Sequence, residues 1–384
     1  MKSPADQTGE ELVALYDSIE QGCVECGLCQ KDCRFLQKYG SPKEIAGRRS
    51  QDPAALRTSF ECSQCRLCMA VCPKKIDPAA MFGAMRRQAQ VIGKGTFDQH
   101  TIILRYERWG LSSAITWYGL PAGCDTVLFP GCAMAGSRSE RVIDLYTHIR
   151  REIPSLGIVL DCCTKPSHDL GRTEYFSLMF GALRDALAAR GVKQVLVACP
   201  SCYRVWKDYG GPITVTSIYE LLAEIGPLHQ VSAPVEVTVH DPCPTRYDLT
   251  IHQAVRKMVT AMGFSLREMK HHGKKTICCG EGGAACYIAP DLAGNWTATR
   301  TKEAEGTPLV TYCAGCTHFL GRLLPAVHVT DLFFEPGPTL AGKVPITRSP
   351  MTWLRRVLLK GKLRRLVAAK VSGSRSADGR VLLR

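Results

Sequence analysis

Val195-Leu-Val-Ala-Cys199-Pro-Ser-Cys202 has a counterpart further along the chain, Pro308-Leu-Val-Thr-Tyr-Cys313-Ala-Gly-Cys316. Each sets a short apolar, strand-like run directly before a C-x2-C pair. Working outward, each pair closes a group of five cysteines: Cys132, Cys162, Cys163, Cys199 and Cys202, then Cys243, Cys278, Cys279, Cys313 and Cys316. The two groups superpose at offsets of 111 for the first cysteine, 116 for the adjacent pair and 114 for the closing pair. Val215-Thr216 follows Cys202 at the distance at which Val329-Thr330 follows Cys316. A duplicated domain is the economical explanation. Each half alternates buried-type strands with helical periodicity. The first half has strands at 126–129, 158–160 and 195–197 and helices at 140–151 and 175–190. The second has strands at 235–239 and 309–311, with helices at 252–262 and after Pro290. That alternation predicts a mostly parallel sheet covered by helices, with sites at the carboxyl ends of the strands, where Cys132, Cys199, Cys243 and Cys313 fall.

Eight further cysteines precede these, as Cys23-x2-Cys26-x2-Cys29-x3-Cys33 and Cys62-x2-Cys65-x2-Cys68-x3-Cys72-Pro73. Three thiolates at two-residue gaps wrap one face of a compact cluster, and in two-cluster ferredoxins the fourth ligand comes from the other motif. The expectation is therefore one 4Fe-4S cluster on Cys23, Cys26, Cys29 and Cys72 and another on Cys62, Cys65, Cys68 and Cys33. Zinc pairs C-x2-C knuckles and leaves no fourth cysteine three residues on. Arg34 stands where such motifs usually place Pro.

The chain has 384 residues, 45% of them hydrophobic, and 20 cysteines. It can bury a core without disulfide staples, and no apolar run of 18 residues predicts a membrane span. The polar start, Met1 to Glu11, argues against export, and cysteines in a reducing cytoplasm point to metal or redox chemistry. Of the formal charge of +14, +11 lies in residues 343–384, so the body is near neutral and no nucleic-acid face is expected. No GxGxxG in a strand-turn-helix context and no Walker motif is present, so no flavin or nucleotide site is expected.

The doubled C, CCG, CxxC pattern resembles the CCG (cysteine-rich) domains of heterodisulfide reductase, and the front end resembles the separate ferredoxin-like component of the same enzyme. The whole order, over residues 20 to about 335, is similar to relatives in which the two are fused, namely the fused iron-sulfur form of heterodisulfide reductase and the iron-sulfur component of anaerobic glycerol-3-phosphate dehydrogenase. The resemblance implies a mixed fold: an α-helical two-cluster ferredoxin-like domain, then two pseudo-symmetric, Rossmann-like α/β CCG domains. It implies two cubane 4Fe-4S clusters and one or two non-cubane 4Fe-4S clusters. The latter would be held by the two groups of five cysteines, where a disulfide substrate would be cleaved. It further implies membership of a hetero-oligomeric complex in the cytoplasm, in the setting of anaerobic metabolism, fed by a flavoprotein or a quinone or cytochrome partner. The alternatives are an electron carrier without its own substrate and a zinc-binding interaction protein. Adjacent cysteines need a tight turn to share a metal; Gly280 and Glu281-Gly282-Gly283 supply it in the second group, whereas Thr164 replaces the glycine in the first.

The expected domains are 1–100 (ferredoxin-like), 101–123 (linker), 124–230 and 231–340 (CCG domains) and 341–384 (basic tail). On a helix, Trp353, Leu354, Val357 and Leu358 would share one face and Leu359, Leu363, Leu366 and Val367 nearly the opposite one, changing over at Gly361. Two short pieces or a basic arm contacting an acidic partner or the inner membrane surface are therefore expected as readily as one helix, and a solvated tail as readily as all of these together. Cys124 and Cys286 fall outside both registers and read as ordinary thiols. His168, Asp169, His240, Asp241 and Glu281 lie near the cysteines and read as caps or supporting groups before proton donors.

Overall fold

The computed structural model describes residues 4–48, 53–231 and 235–384. Residues 232–234, at the boundary expected between the halves, lie outside them, as do 1–3 of the polar N-terminal stretch and 49–52. The strands are β1 (Trp117–Leu120), β2 (Thr126–Phe129), β3 (Gly157–Leu160), β4 (Gln194–Val197), β5 (Thr214–Ser217), β6 (Glu236–His240), β7 (Ser265–Leu266), β8 (Leu309–Thr311), β9 (Ala326–His328), β10 (Val371–Arg375) and β11 (Val381–Leu383). They form two sheets, β11-β10-β1-β3-β2-β4-β5 and β7-β6-β8-β9. Within the first, β3-β2-β4-β5 is all parallel, and the second is all parallel in the same permuted order. The cysteine repeat is thus a repeat of sheet topology. Strands β2 and β3 are buried along their whole length, as parallel strands covered on both faces must be.

One flank of the sequence register is corrected. Val215-Thr216 lies inside β5, but Val329-Thr330 opens the helix Val329–Phe334. The structural equivalents are Ser217 and His328, each ending its strand and capping the next helix through its side chain. The cause is a shorter helix: Pro200–Tyr209 has 10 residues and Ala314–Leu320 has 7, which shifts everything beyond by three.

The halves are joined by buried polar contacts. Arg138 pairs with Asp331 at 2.7 Å, and the Tyr219 hydroxyl donates to the carbonyls of Ala198 and Tyr312, the residues just before Cys199 and Cys313. The helical N-terminal domain, from Pro4–Gly22 to Pro78–Val91, packs Phe35, Phe60 and Phe82 into a core shared with Ile277 and Trp296 of the second half. Arg86, fully buried, fastens it to both halves. Its guanidinium donates to the carbonyls of Ser59, Phe60 and Cys62, to Asp169 in the first half at 2.6 Å and to Gly283 in the second at 2.8 Å. Hydrogen bonds to a charged donor are among the strong ones, so Arg86→Met is expected to cost about 3 kcal/mol or more. Urea denaturation followed by circular dichroism measures this, and the helical domain is expected to release first.

Residues 101–123 and 341–384 are not a linker and a tail. The former contains the helix Thr101–Gly110 and β1. The latter forms one helix, Met351–Leu366, running through Gly361, and the hairpin β10-β11, which continues the first sheet through antiparallel pairing with β1. The helix is anchored by one of its two apolar faces. Leu359 and Leu363 are buried in the core of the halves, while Leu354, Val357 and Leu358 face outward. Among the described residues no helix is long and apolar enough to cross a membrane.

Candidate metal centres and the cleft between them

In the two C-x2-C-x2-C loops, the backbone turns left-handed at matching positions: Glu25 and Gly27 in the first, Gln64 and Arg66 in the second, with φ from 49 to 72°. Three of these four are not glycine, a conformation that costs on the order of 1 kcal/mol each and that the surrounding structure must hold in place. The turns bring the thiols together. Cys23, Cys26, Cys29 and Cys72 line one apolar cavity, closed by Pro42, Ile76 and Pro78. Cys33, Cys62, Cys65 and Cys68 line a second, with Phe35, Leu67, Phe82 and Trp296. The grouping crosses between the motifs. Apolar cavities walled by thiols suit a thiolate-held cluster, whose potential depends on such burial.

Cys68 lines both cavities, and Cys278 of the second half lines the inner one. The second group of five lies directly beyond. Cys243, Cys278, Cys279, Cys316 and Cys313 lie each in hydrogen-bond reach of the next, and bonds from Cys243 and Cys279 hold the Cys278 thiol well below its ordinary range. Next comes the first group, in which Cys202 lies 3.4 Å from Cys163 and Cys162 pairs with Cys132. Cys199 and Cys313 touch across the boundary. The four sets therefore run in one line, outer cavity, inner cavity, second group, first group, with exposed Cys26 at the outer end.

The glycines of Cys278-Cys279-Gly280-Glu281-Gly282-Gly283 serve two ends. Gly280 turns the chain at φ 111°. Gly283 has φ 61°, and a Cβ there would lie 2.7 Å from the Cys62 carbonyl, so the ferredoxin loop can approach only a glycine. In the first half Thr164 adopts the left-handed turn despite its side chain, with φ 51°, and Pro166 follows in the first turn of the next helix.

Residues sequence reasoning missed wall the first group. Arg356 of the C-terminal helix, 2% exposed, lines a pocket with Pro130, Gly131, Cys132 and Asp161. The Cys162 bond and then Arg356 pull the Cys132 thiol down to about 7, with the Tyr106 hydroxyl in hydrogen-bond reach. Arg375 of β10 pairs with Asp161 at 2.8 Å, both fully buried, and Asp161 accepts the Cys162 backbone N–H at 2.7 Å. No cysteine pattern marks these positions.

The polar neighbours separate by role. His168 bonds Asp169 and the Tyr209 hydroxyl, Asp169 pairs with Lys165, and Asp241 holds Arg256 and the Gly273 N–H. These are supports. Glu281 differs: its carboxylate has no hydrogen-bond or ion-pair partner among the described residues, and it stands between the two groups with Lys165 nearby. The residue is exposed to solvent on one side, while burial of its carboxylate on the others, then the thiolates of Cys199, Cys278 and Cys132, push it up to about 7. Cys124 is buried beneath β2 and bonds the Thr126 carbonyl, and Cys286 is half-buried in the 282–287 turn. His240 is fully buried, and its surroundings lower it to about 3.

Residues 20–76 match the 4Fe-4S dicluster domain and residues 237–321 the cysteine-rich (CCG) domain. One polypeptide of the dihydromethanophenazine:CoB–CoM heterodisulfide reductase from Methanosarcina mazei is 23% identical over 84% of this chain and 92% of its own length. An uncharacterized iron-sulfur protein of Methanocaldococcus jannaschii is 24% identical over 78% of this chain and 67% of its own. The chain is an iron-sulfur protein related to heterodisulfide reductase. The EtfAB:quinone oxidoreductase of Syntrophomonas wolfei is 24% identical over 62% of this chain and 38% of its own length. For an iron-sulfur protein of this kind, the single line of cysteine sets is the feature that orders the site, and exposed Glu281 stands beside its inner end.

Proposed function

We propose that this chain is the component of an oxidoreductase that receives electrons at its outer ferredoxin-type site and reduces a disulfide in the cleft between its two CCG domains. The observation that carries the reading is the unbroken line of four cysteine sets ending beside a free carboxyl group. Cys23, Cys26, Cys29 and Cys72 would hold one 4Fe-4S cluster and Cys33, Cys62, Cys65 and Cys68 the other. Cys243, Cys278, Cys279, Cys313 and Cys316, and Cys132, Cys162, Cys163, Cys199 and Cys202, would hold the CCG clusters. When bound, such clusters supply one-electron transfer and iron to which sulfur can attach, chemistry that side chains lack.

The chain's own residues do the rest. Reducing a disulfide consumes two electrons and two protons and releases two thiols. Glu281 is placed to hand a proton to a departing sulfur. Gly315, in the Cys313-Ala-Gly-Cys316 turn, leaves the space the Glu281 carboxylate occupies; a Cβ there would collide with it. The electron donor, a flavoprotein or a quinone or cytochrome partner, would meet the outer site around Val24 and Leu28, which are exposed beside Cys26. Met351, Leu354 and Leu358, exposed among arginines near Trp109, form a second face for a partner or a membrane surface.

The test is oxidation of a reduced viologen by the purified chain with a panel of disulfides. Disulfide-dependent oxidation is expected; with Gly315→Ala it should fall about 10²-fold, the typical worth of a positioned acid, at unchanged iron content. Intact iron with no disulfide-dependent oxidation would make the chain an electron carrier without its own substrate.

A further inference from the structure

His240 ends β6 three residues before Cys243, and it is fully buried. Neither ring nitrogen has a hydrogen-bond partner among the described residues. An imidazole so placed forfeits both its bonds, a penalty of about 1–3 kcal/mol for each buried group left unmade, so native proteins rarely leave one empty-handed. The ring faces the second group of five. A nitrogen of His240 and the sulfurs of Cys279 and Cys316 all lie within 4.8 Å of one another.

The donor is not duplicated in the first half. The residue three before Cys132 is Phe129, which ends β2 and packs edge-on against Trp206 at 6.0 Å. The same strand end thus carries a ligand-type side chain in one half and an apolar ring in the other. Arg300, also fully buried and with its Nε unpartnered among the described residues, lies behind the second group and adds positive charge there.

We propose that His240 is a nitrogen ligand to the metal group of the second CCG site, at its Cys279–Cys316 edge, making that site a five-sulfur, one-nitrogen centre distinct from the all-cysteine first site. The proposal rests on the reading that the second group of five holds a metal cluster. Imidazole is a ligand suited to iron and to zinc alike.

The experiment uses the full chain, reconstituted with iron and sulfide and grown with 15N-labelled histidine, oxidised and treated with a thiol, and examined by pulsed electron paramagnetic resonance. A histidine nitrogen coupling of the size expected for direct ligation should appear, change with the isotope, and vanish in His240→Phe while iron content stays within one cluster's worth of wild type. A loaded second site with no histidine coupling, or a coupling unchanged in His240→Phe, would overturn the proposal. A coupling too weak for ligation would also overturn it, leaving a hydrogen bond to the cluster. Should Cys313→Ser/Cys316→Ser lose no iron, the site is not loaded, and both the proposal and the reading beneath it fall. The labelled unmutated chain carries the decision if His240→Phe does not fold.

Discussion

Replacing Cys33 with serine is expected to empty the inner ferredoxin-type cavity and to stop disulfide-dependent oxidation, although Cys33 belongs to the outer motif in sequence. The grouping of thiols into cavities dictates this: Cys33 faces Cys62, Cys65 and Cys68, and its thiol is raised by burial and then by Cys65 and Cys62. Cys33→Ser and Cys62→Ser should therefore leave the same residual spectrum, and Cys72→Ser and Cys23→Ser a different, shared one. Iron and sulfide analysis with electron paramagnetic resonance of the reduced variants checks the pairing. If Cys33→Ser matched Cys23→Ser instead, each cluster would be held by a single motif. The inner cavity matters most because it is the one joined to Cys278, so its loss cuts the line.

Arg375→Leu should be the most damaging change outside the cysteines. It strands Asp161 as a fully buried carboxylate facing only the Tyr118 hydroxyl and the Cys162 N–H. Breaking a buried pair by removing one partner costs about 3–5 kcal/mol, which is a large fraction of a domain's stability. Because Asp161 fixes the backbone at Cys162, iron should be lost from the first group before the rest of the chain unfolds. Arg380→Ala, in the same hairpin but pairing with Asp378 at the surface, is the control and should leave stability unchanged. Urea unfolding monitored by circular dichroism and by visible absorbance separates the two events.

The parts of the fold legible in the sequence are those with a local or repeated signal. The strands at 126–129 and 309–311 have the same ends in the structure because fully buried parallel strands read as short apolar runs between turns. The duplication survives in the cysteine register even where helix lengths differ. The C-terminal segment was illegible for a specific reason. Its helix has apolar residues on two opposite faces, and a pattern written for two environments looks like poor amphipathicity until both surroundings are known. The same holds for Arg356 and Arg375, which add to an apparently basic tail yet are buried beside Cys132 and Asp161. Strand β1 went unread because Gly119 interrupts a run that pairs with β3 on one side and β10 on the other. In the site, the cysteines announce themselves, but the difference between supporting and free polar groups does not: Asp241 and Glu281 lie equally close to cysteines, and only their partners tell them apart.

On the proposed reading, the two groups of five cysteines hold iron-sulfur centres open to substrate sulfur. Electron paramagnetic resonance of the oxidised, fully loaded chain, recorded before and after adding thiol, tests it most directly. A new thiol-dependent signal is expected that Cys313→Ser abolishes while the ferredoxin-type signals of the reduced protein persist. Full ferredoxin-type signals with no thiol-dependent change, and zinc in place of iron in the CCG domains, would contradict it.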